Sequence, residues 1–257
     1  MAYLFNSHSE IFGNWFDVFK SDEEIVFDAY LAALNIERHW DYSGEALKLL
    51  TERNFEFLFR VVDQLYEKER WPSLNTNMPK FDFLWERDSY LQDIEYFGKY
   101  ILTKNESSYN RYRENIFCKL FTKENGKVEL DELVSKKQTF FRSTVQNNAR
   151  DVYYMRFIFS AAQSLDEEFR RELLGWFIRW NNNFKDFETL DYELATKIWS
   201  GSQVPILERE KNFLVSLLPI FNSIELLEHK AYVEKQIENK MKYIEREKKR
   251  DFLEGRL

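Results

Sequence analysis

ILEREKNFLVSLLPIF (206–221) followed by ELLEHKAYVEKQIENKMKYIEREKKRDFL (225–253) decides the fold class of this 257-residue chain. In the first stretch Ile206, Phe213, Leu217 and Ile220, with Leu207, Leu214, Leu218 and Phe221, form a broad apolar stripe at helical spacing. In the second the apolar residues thin to Leu226, Val233, Ile237, Met241, Ile244 and Phe252, spaced mostly by three, four or seven. A stripe that narrow resembles a coiled-coil seam, and Val233, Ile237, Met241 and Ile244 are its candidate partner-binding residues. Glu238 with Lys242 and Glu245 with Lys249 have the spacing of supporting ion pairs on the exposed side.

Helical periodicity continues upstream of this pair. Ser21 and Glu24 have capping-box spacing and open a helix to about Arg38, with Ile25, Ala29, Ala32 and Ile36 on one side. Helices are expected after Ser43 and after Asn54, from Asp88 to Leu102, from Ser107 to Phe121, from Leu130 to about Val145 and from Ala149 to Ala162. The last is apolar nearly all round, which predicts burial on every side. Ser164 with Glu167 reads as a second capping box, and Asn181-Asn-Asn183 ends the helix it opens. Phe184 to Glu193 reads as a short helix or a loop, and Trp199 to Pro205 as an interruption, with Ser202 as the cap of the helix beyond.

No strand of convincing length competes with these helices. The predicted fold is therefore all-α: antiparallel helix hairpins stacked as a HEAT-like α-solenoid, ending in a long amphipathic C-terminal helix. No period repeats in residue identity, and a compact irregular helical domain is the alternative. The proline-flanked stretch from Trp71 to Pro79 is the most helix-hostile, so residues 1–70 are expected to form N-terminal hairpins, 71–80 a linker and 81–257 the helical-repeat region, unless all are continuous.

Composition supports a packed helical protein. Apolar residues make up 44% of the chain, including 24 Phe, 14 Tyr and 7 Trp, whereas Gly (7) and Pro (4) are scarce. A lone Cys118 allows no intrachain disulfide and reads as a small buried hydrophobe. No basic n-region precedes the apolar residues of Met1 to Phe16, and no apolar run approaches a membrane span, so a cytoplasmic chain without membrane contact is expected.

Charge is unevenly spread. Residues 1–103 carry a net −9, residues 104–150 a net +4 and residues 151–257 a net −2. Within the basic segment 135–150, Lys136, Lys137, Arg142 and Arg150 stand without an acid among Phe140, Phe141, Gln146 and Asn147. They are the candidate anion-binding residues, and could hold phosphates beside stacked bases of a single strand or RNA. The acidic remainder argues against general duplex binding.

Motifs for chemistry are missing at each spacing tested. No Glu precedes His39 or His229 by three residues, which removes the di-iron pattern. Asn125-Gly126-Lys127-Val128 lacks the first glycine and the hydroxyl of a phosphate-binding loop. Glu225 and His229, four apart, read as a hydrogen-bonded pair on a helix surface. No catalytic residue, metal or cofactor is assigned.

The run Trp199-Ser-Gly-Ser-Gln-Val-Pro-Ile-Leu-Glu208, with Ser216-Leu-Leu-Pro-Ile220, Glu228-His-Lys230 and Ile244-Glu-Arg-Glu-Lys-Lys-Arg-Asp-Phe252, resembles the C-terminal helical-repeat sensor regions of large bacterial phage-defence NTPases. The resemblance covers about the last 60 residues. It implies a recognition arm without its motor and transfers no site residue. Together these readings give a non-enzymatic module that recognises another protein, or a second copy of itself, through the C-terminal helix. Contact with nucleic acid through 135–150 is the alternative.

Overall fold

The structure is a computed structural model that describes residues 22–34, 41, 44–68, 80–103, 116–121, 130–190, 192–194 and 201–254, the side chains of 66–68 and 164 excepted. Every regular element among the described residues is a helix. None of these helices is long and apolar enough to cross a membrane. The chain divides into two compact units, residues 1–120 and 121–257. Of the linker expected over 71–80, only Lys80 is described.

In the first unit, α1 (Glu23–Leu34) packs on α3 (Phe57–Lys68), and α2 (Glu45–Arg53) pairs with α3 as a hairpin. Asn54 closes α2 and its Oδ1 accepts from the Glu56 amide at 3.0 Å, an Asx turn that opens α3. The inward side of α1 is Val26, Phe27, Tyr30 and Leu34. This corrects the expected Ile25/Ala29/Ala32 side, since Ile25 is 48% exposed. The physical reason is area: Phe27 stacks on Phe57 at 4.5 Å, and two aromatic rings bury far more apolar surface than two alanines. Arg60 locks the pair, donating to Glu24 and Asp28, each at 2.7 Å, with its guanidinium over both rings.

A 3-10 turn (Asp82–Glu86) leads to α4 (Tyr90–Thr103), which packs Phe97 and Tyr100 against Phe59. Most of the helix expected from Ser107 to Phe121 lies outside the described residues; 116–119 are helical. Cys118 there is half-buried, not the buried side chain expected. Ser21, Ile36, His8 and His39 also lie outside the described residues.

The second unit contains α5 (Asp131–Asn148), α6 (Val152–Ala161), α7 (Glu167–Trp180), α8 (Phe184–Glu188), α9 (Val204–Leu217) and α10 (Leu227–Leu253). Contacts between α5 and α7 advance together along both: Phe141 meets Phe169 at 5.7 Å, and farther on the Asn181 amide donates to the Ala149 carbonyl at 2.8 Å. The two helices therefore run side by side in one direction. α9 repeats this against α7, with Arg209 on Glu167 at 2.5 Å and Arg170 over Phe213. α10 returns antiparallel along α9, pairing Lys248 with Glu208 and Ser202 with Asp251.

Two details differ from the sequence reading. The cap of α7 is Asp166, whose carboxylate accepts from the Phe169 amide at 2.8 Å, in place of Ser164. A carboxylate at this position also opposes the helix dipole's positive end. On α6, Tyr153 is 55% exposed, so that helix is buried on most of its circumference but not all of it.

Candidate recognition groove

Because α7 and α9 lie parallel, their facing surfaces leave a furrow between them. At one end the Glu167–Arg209 bridge crosses it, over a hollow of about 470 Å³ bounded by Pro205, Asn212 and Ser216. Ser216 also lines the next stretch, which opens to about 800 Å³. There α7 contributes Arg171, Glu172, Gly175, Trp176, Ile178 and Arg179. The opposite wall is Pro219 and Ile220 with Ser223, Glu225 and Leu226 from the corner that leads to α10.

Gly175 lines the furrow. It stands inside a regular helix, where glycine costs about 1 kcal/mol relative to alanine. A Cβ built there meets nothing within 4 Å. No neighbouring atom in the fold requires this glycine. Arg171, Gly175 and Arg179 repeat at four-residue spacing and share one side of α7, so the gap lies between two guanidinium groups.

Arg171 makes only a 3.5 Å contact with Glu168, and Arg179 has no ion-pair partner among the described residues. Glu172 and Glu225 give the same walls two carboxylates, so the lining is of mixed charge. The Arg142 guanidinium lies 4.7 Å over the Trp176 ring. Next in sequence to lining residues, Trp180 is 50% exposed and Ile224 86%. Tryptophan and arginine are the side chains that most often dominate protein interfaces.

The candidate residues read from sequence are distributed differently. Val233 and Ile244 are buried in the second unit, Ile237 is half-buried and Met241 is 50% exposed. The coiled-coil-like spacing of α10 is thus largely satisfied by α9 in the same chain. Of the basic residues, Lys137 is buried and donates to the Phe121 carbonyl at 3.3 Å, while Lys136 pairs with Glu132 at 3.1 Å. Arg142 and Arg150 are exposed, and Arg142 borders the furrow through Trp176. The supporting pairs expected between Glu238 and Lys242 and between Glu245 and Lys249 do not form; α10 pairs its Lys230 with Glu234 and Arg250 with Glu247.

Three polar arrangements brace α7, α9 and α10. Arg170, 5% exposed, donates to the carbonyls of Tyr192 (2.8 Å) and Glu193 (2.5 Å), and Gln163 donates to the latter at 2.9 Å. Lys240 of α10 reaches Glu210 of α9 at 2.6 Å, with the Glu193 carboxylate at 3.9 Å. Ser202 donates to the fully buried Asp251 and accepts from the Val204 amide, tying the start of α9 to the end of α10. This corrects the expectation of Ser202 as the cap: Gln203 holds the capping position, and Ser202 lies one residue before it.

His229 is the buried titratable group closest to the corner. It is 1% exposed, enclosed by Phe184, Phe187 and Phe221, and neither ring nitrogen has a hydrogen-bond partner. The surface pair expected with Glu225 is therefore not made. Burial lowers the imidazole pKa below its usual 6.5, opposed in part by the Glu228 charge. Above pH 6.5 the ring is neutral folded or unfolded and stability is unaffected. Below it the unfolded chain binds a proton that the fold rejects, so stability is lost as pH falls toward the depressed native pKa. Urea midpoints at pH 7.5 and pH 5.5 are expected to differ more for the native sequence than for His229→Leu; equal differences would contradict this.

Comparison of the chain with protein-family models, curated proteins and solved structures finds no match.

Proposed function

We propose that residues 121–257 form a non-enzymatic recognition module that holds a segment of another protein in the furrow between α7 and α9. The observation that carries this reading is Gly175, a helix-interior glycine facing open space beside Trp176 and between Arg171 and Arg179. An extended or helical segment laid there would bury the Trp176 and Ile220 surfaces, while its own charges of either sign would find a counterpart on the walls. Glu172 and Glu225 disfavour a polyphosphate backbone in the same place. For that reason a protein segment is preferred to a nucleic-acid strand.

The parallel course of α5, α7 and α9, with α10 running back, supports the HEAT-like stacking of helix pairs. It also suits a sensor arm of a bacterial antiviral system, in which such a layer would present the furrow to the molecule being sensed. The nucleic-acid reading keeps Arg142 and Arg150 as its exposed cations.

Gly175 supplies the test. Gly175→Ala is expected to raise stability by about 0.5–1 kcal/mol, because it removes a helix-interior glycine without a clash. Gly175→Trp fills the furrow from within. Peptides enriched from a random display library on the native chain should bind the alanine variant within about threefold and the tryptophan variant at least ~30-fold more weakly, a difference of about 2 kcal/mol. Equal binding to both variants, with circular dichroism confirming their helices, would place the site elsewhere.

A further inference from the structure

We infer, resting on the furrow reading above, that the protein segment held there is anchored by an aromatic side chain inserted edge-first at Gly175, with the guanidinium groups of Arg171 and Arg179 over its two faces. The neighbours of position 175 on the helix surface are the residues three and four away, Arg171, Glu172, Ile178 and Arg179, and all four line the hollow. Gly175 has no side chain to fill the space among them, and a Cβ built there meets nothing within 4 Å. At 1.5 Å per residue Arg171 and Arg179 start about 12 Å apart along the helix axis, with Gly175 midway. A ring standing at the midpoint is about 6 Å along the axis from either residue, the separation within which a cation is drawn to a ring face.

Both cations are able to turn to such a ring. Arg179 has no ion-pair partner among the described residues, and Arg171 has only the 3.5 Å contact with Glu168, a side chain 77% exposed. Exposed pairs of that kind are weak and readily exchanged. The same pairing is already made twice at α7: the Arg142 guanidinium lies 4.7 Å over the Trp176 ring, and that of Arg170 5.3 Å over Phe213.

The charges of the lining favour a ring over an acid. Glu172 and Glu225 line the same hollow, so two carboxylates balance the two guanidinium groups. An acidic anchor would be attracted by the arginines and repelled by the glutamates, and Glu172 is as close to Gly175 along the helix as the arginines are. An aromatic ring carries no net charge. Its electronegative faces take the two cations, and its electropositive edge tolerates a carboxylate. Trp176 and Ile178, with Pro219, Ile220 and Leu226 across the furrow, supply the apolar surface that a ring would cover. Aromatic side chains also lose little rotamer freedom on binding, which suits them to anchor a segment.

Peptides enriched from a random display library on the full native chain, and weakened by Gly175→Trp, are the probes. They are expected to share one aromatic residue. Cyclohexylalanine in its place keeps the bulk and removes the π faces, and should weaken binding at least ~10-fold. Arg171→Gln with Arg179→Gln should weaken the aromatic peptide by a similar factor and the cyclohexylalanine peptide by less than about twofold, because only the aromatic ring engages the cations. Both arginine side chains reach solvent, so the helices are expected to persist in that variant, which circular dichroism checks. Three results would overturn the aromatic anchor and leave the furrow reading standing: peptides that respond to Gly175→Trp but share an acidic or aliphatic residue instead, cyclohexylalanine peptides that bind as tightly as the aromatic ones, or equal losses for both peptides in the glutamine variant. A library that yields no peptide sensitive to Gly175→Trp would overturn both.

Discussion

Arg170→Ala is expected to destabilise the second unit by about 3–5 kcal/mol, the range for breaking a buried charged arrangement from one side. The guanidinium is 5% exposed, supplies hydrogen bonds to the Tyr192 and Glu193 carbonyls and covers the Phe213 ring. Alanine removes a charged donor from those carbonyls and opens a cavity between α7 and α9. Arg170→Lys should recover only part of the loss, because an ammonium is a point donor and lacks the planar fork that reaches two carbonyls and lies on a ring. Urea unfolding followed by circular dichroism measures both. A loss below about 1 kcal/mol for alanine would mean that the side chain does not join the furrow walls.

Gly44→Ala is the second large effect, expected at about 3 kcal/mol or more, in the first unit. Gly44 has φ +77°, a left-handed conformation that costs an L side chain about 1–2 kcal/mol. Its Cβ would also stand 2.3 Å from the Lys80 carbonyl oxygen and 3.2 Å from the carbonyl carbon. Those are backbone atoms and cannot rotate away. The contrast with Gly175 is instructive: the same glycine-to-alanine change is expected to stabilise at a helix position facing open space and to destabilise where backbone approaches backbone. A thermal midpoint for Gly44→Ala within about 1 °C of the native chain would contradict this account of the turn, since 1 kcal/mol moves units larger than 100 residues by at least about 2 °C.

Helix positions were largely legible in the sequence because their punctuation is local. Asn54, Asn181-Asn-Asn183 and the Gly201-Ser202 before α9 each interrupt an apolar period, and each falls at a helix boundary in the structure. Which side of a helix turns inward was less legible. α1 carries two apolar stripes, and its packing against Phe57 selects the aromatic one. The cap of α7 was displaced by two residues because Ser164 has capping-box spacing to Glu167, whereas Asp166, with Phe169 three positions on, makes the cap through its own carboxylate.

The candidate sites were harder to read, since charge and apolar counts do not reveal direction. Lys137 belongs to a basic segment by composition and turns inward to a backbone carbonyl. Val233 and Ile244 have the spacing of a docking seam, and α9 of the same chain covers that side of α10. The furrow joins residues from Arg171 to Leu226, and the one local sign of it is a glycine inside α7 between two arginines. A helix-interior glycine with no steric need for its smallness is a signal that sequence inspection can use.

The central claim is that the furrow receives a protein segment, and an isoleucine δ1-methyl NMR titration tests it most directly. The full chain would be titrated with a peptide enriched on it by display. The expected result is perturbation at Ile178 and Ile220, with Ile237 and Ile244 of α10 and Ile94 of the first unit unmoved. Perturbation concentrated at Ile237 and Ile244, or none at the two furrow methyls, would contradict it.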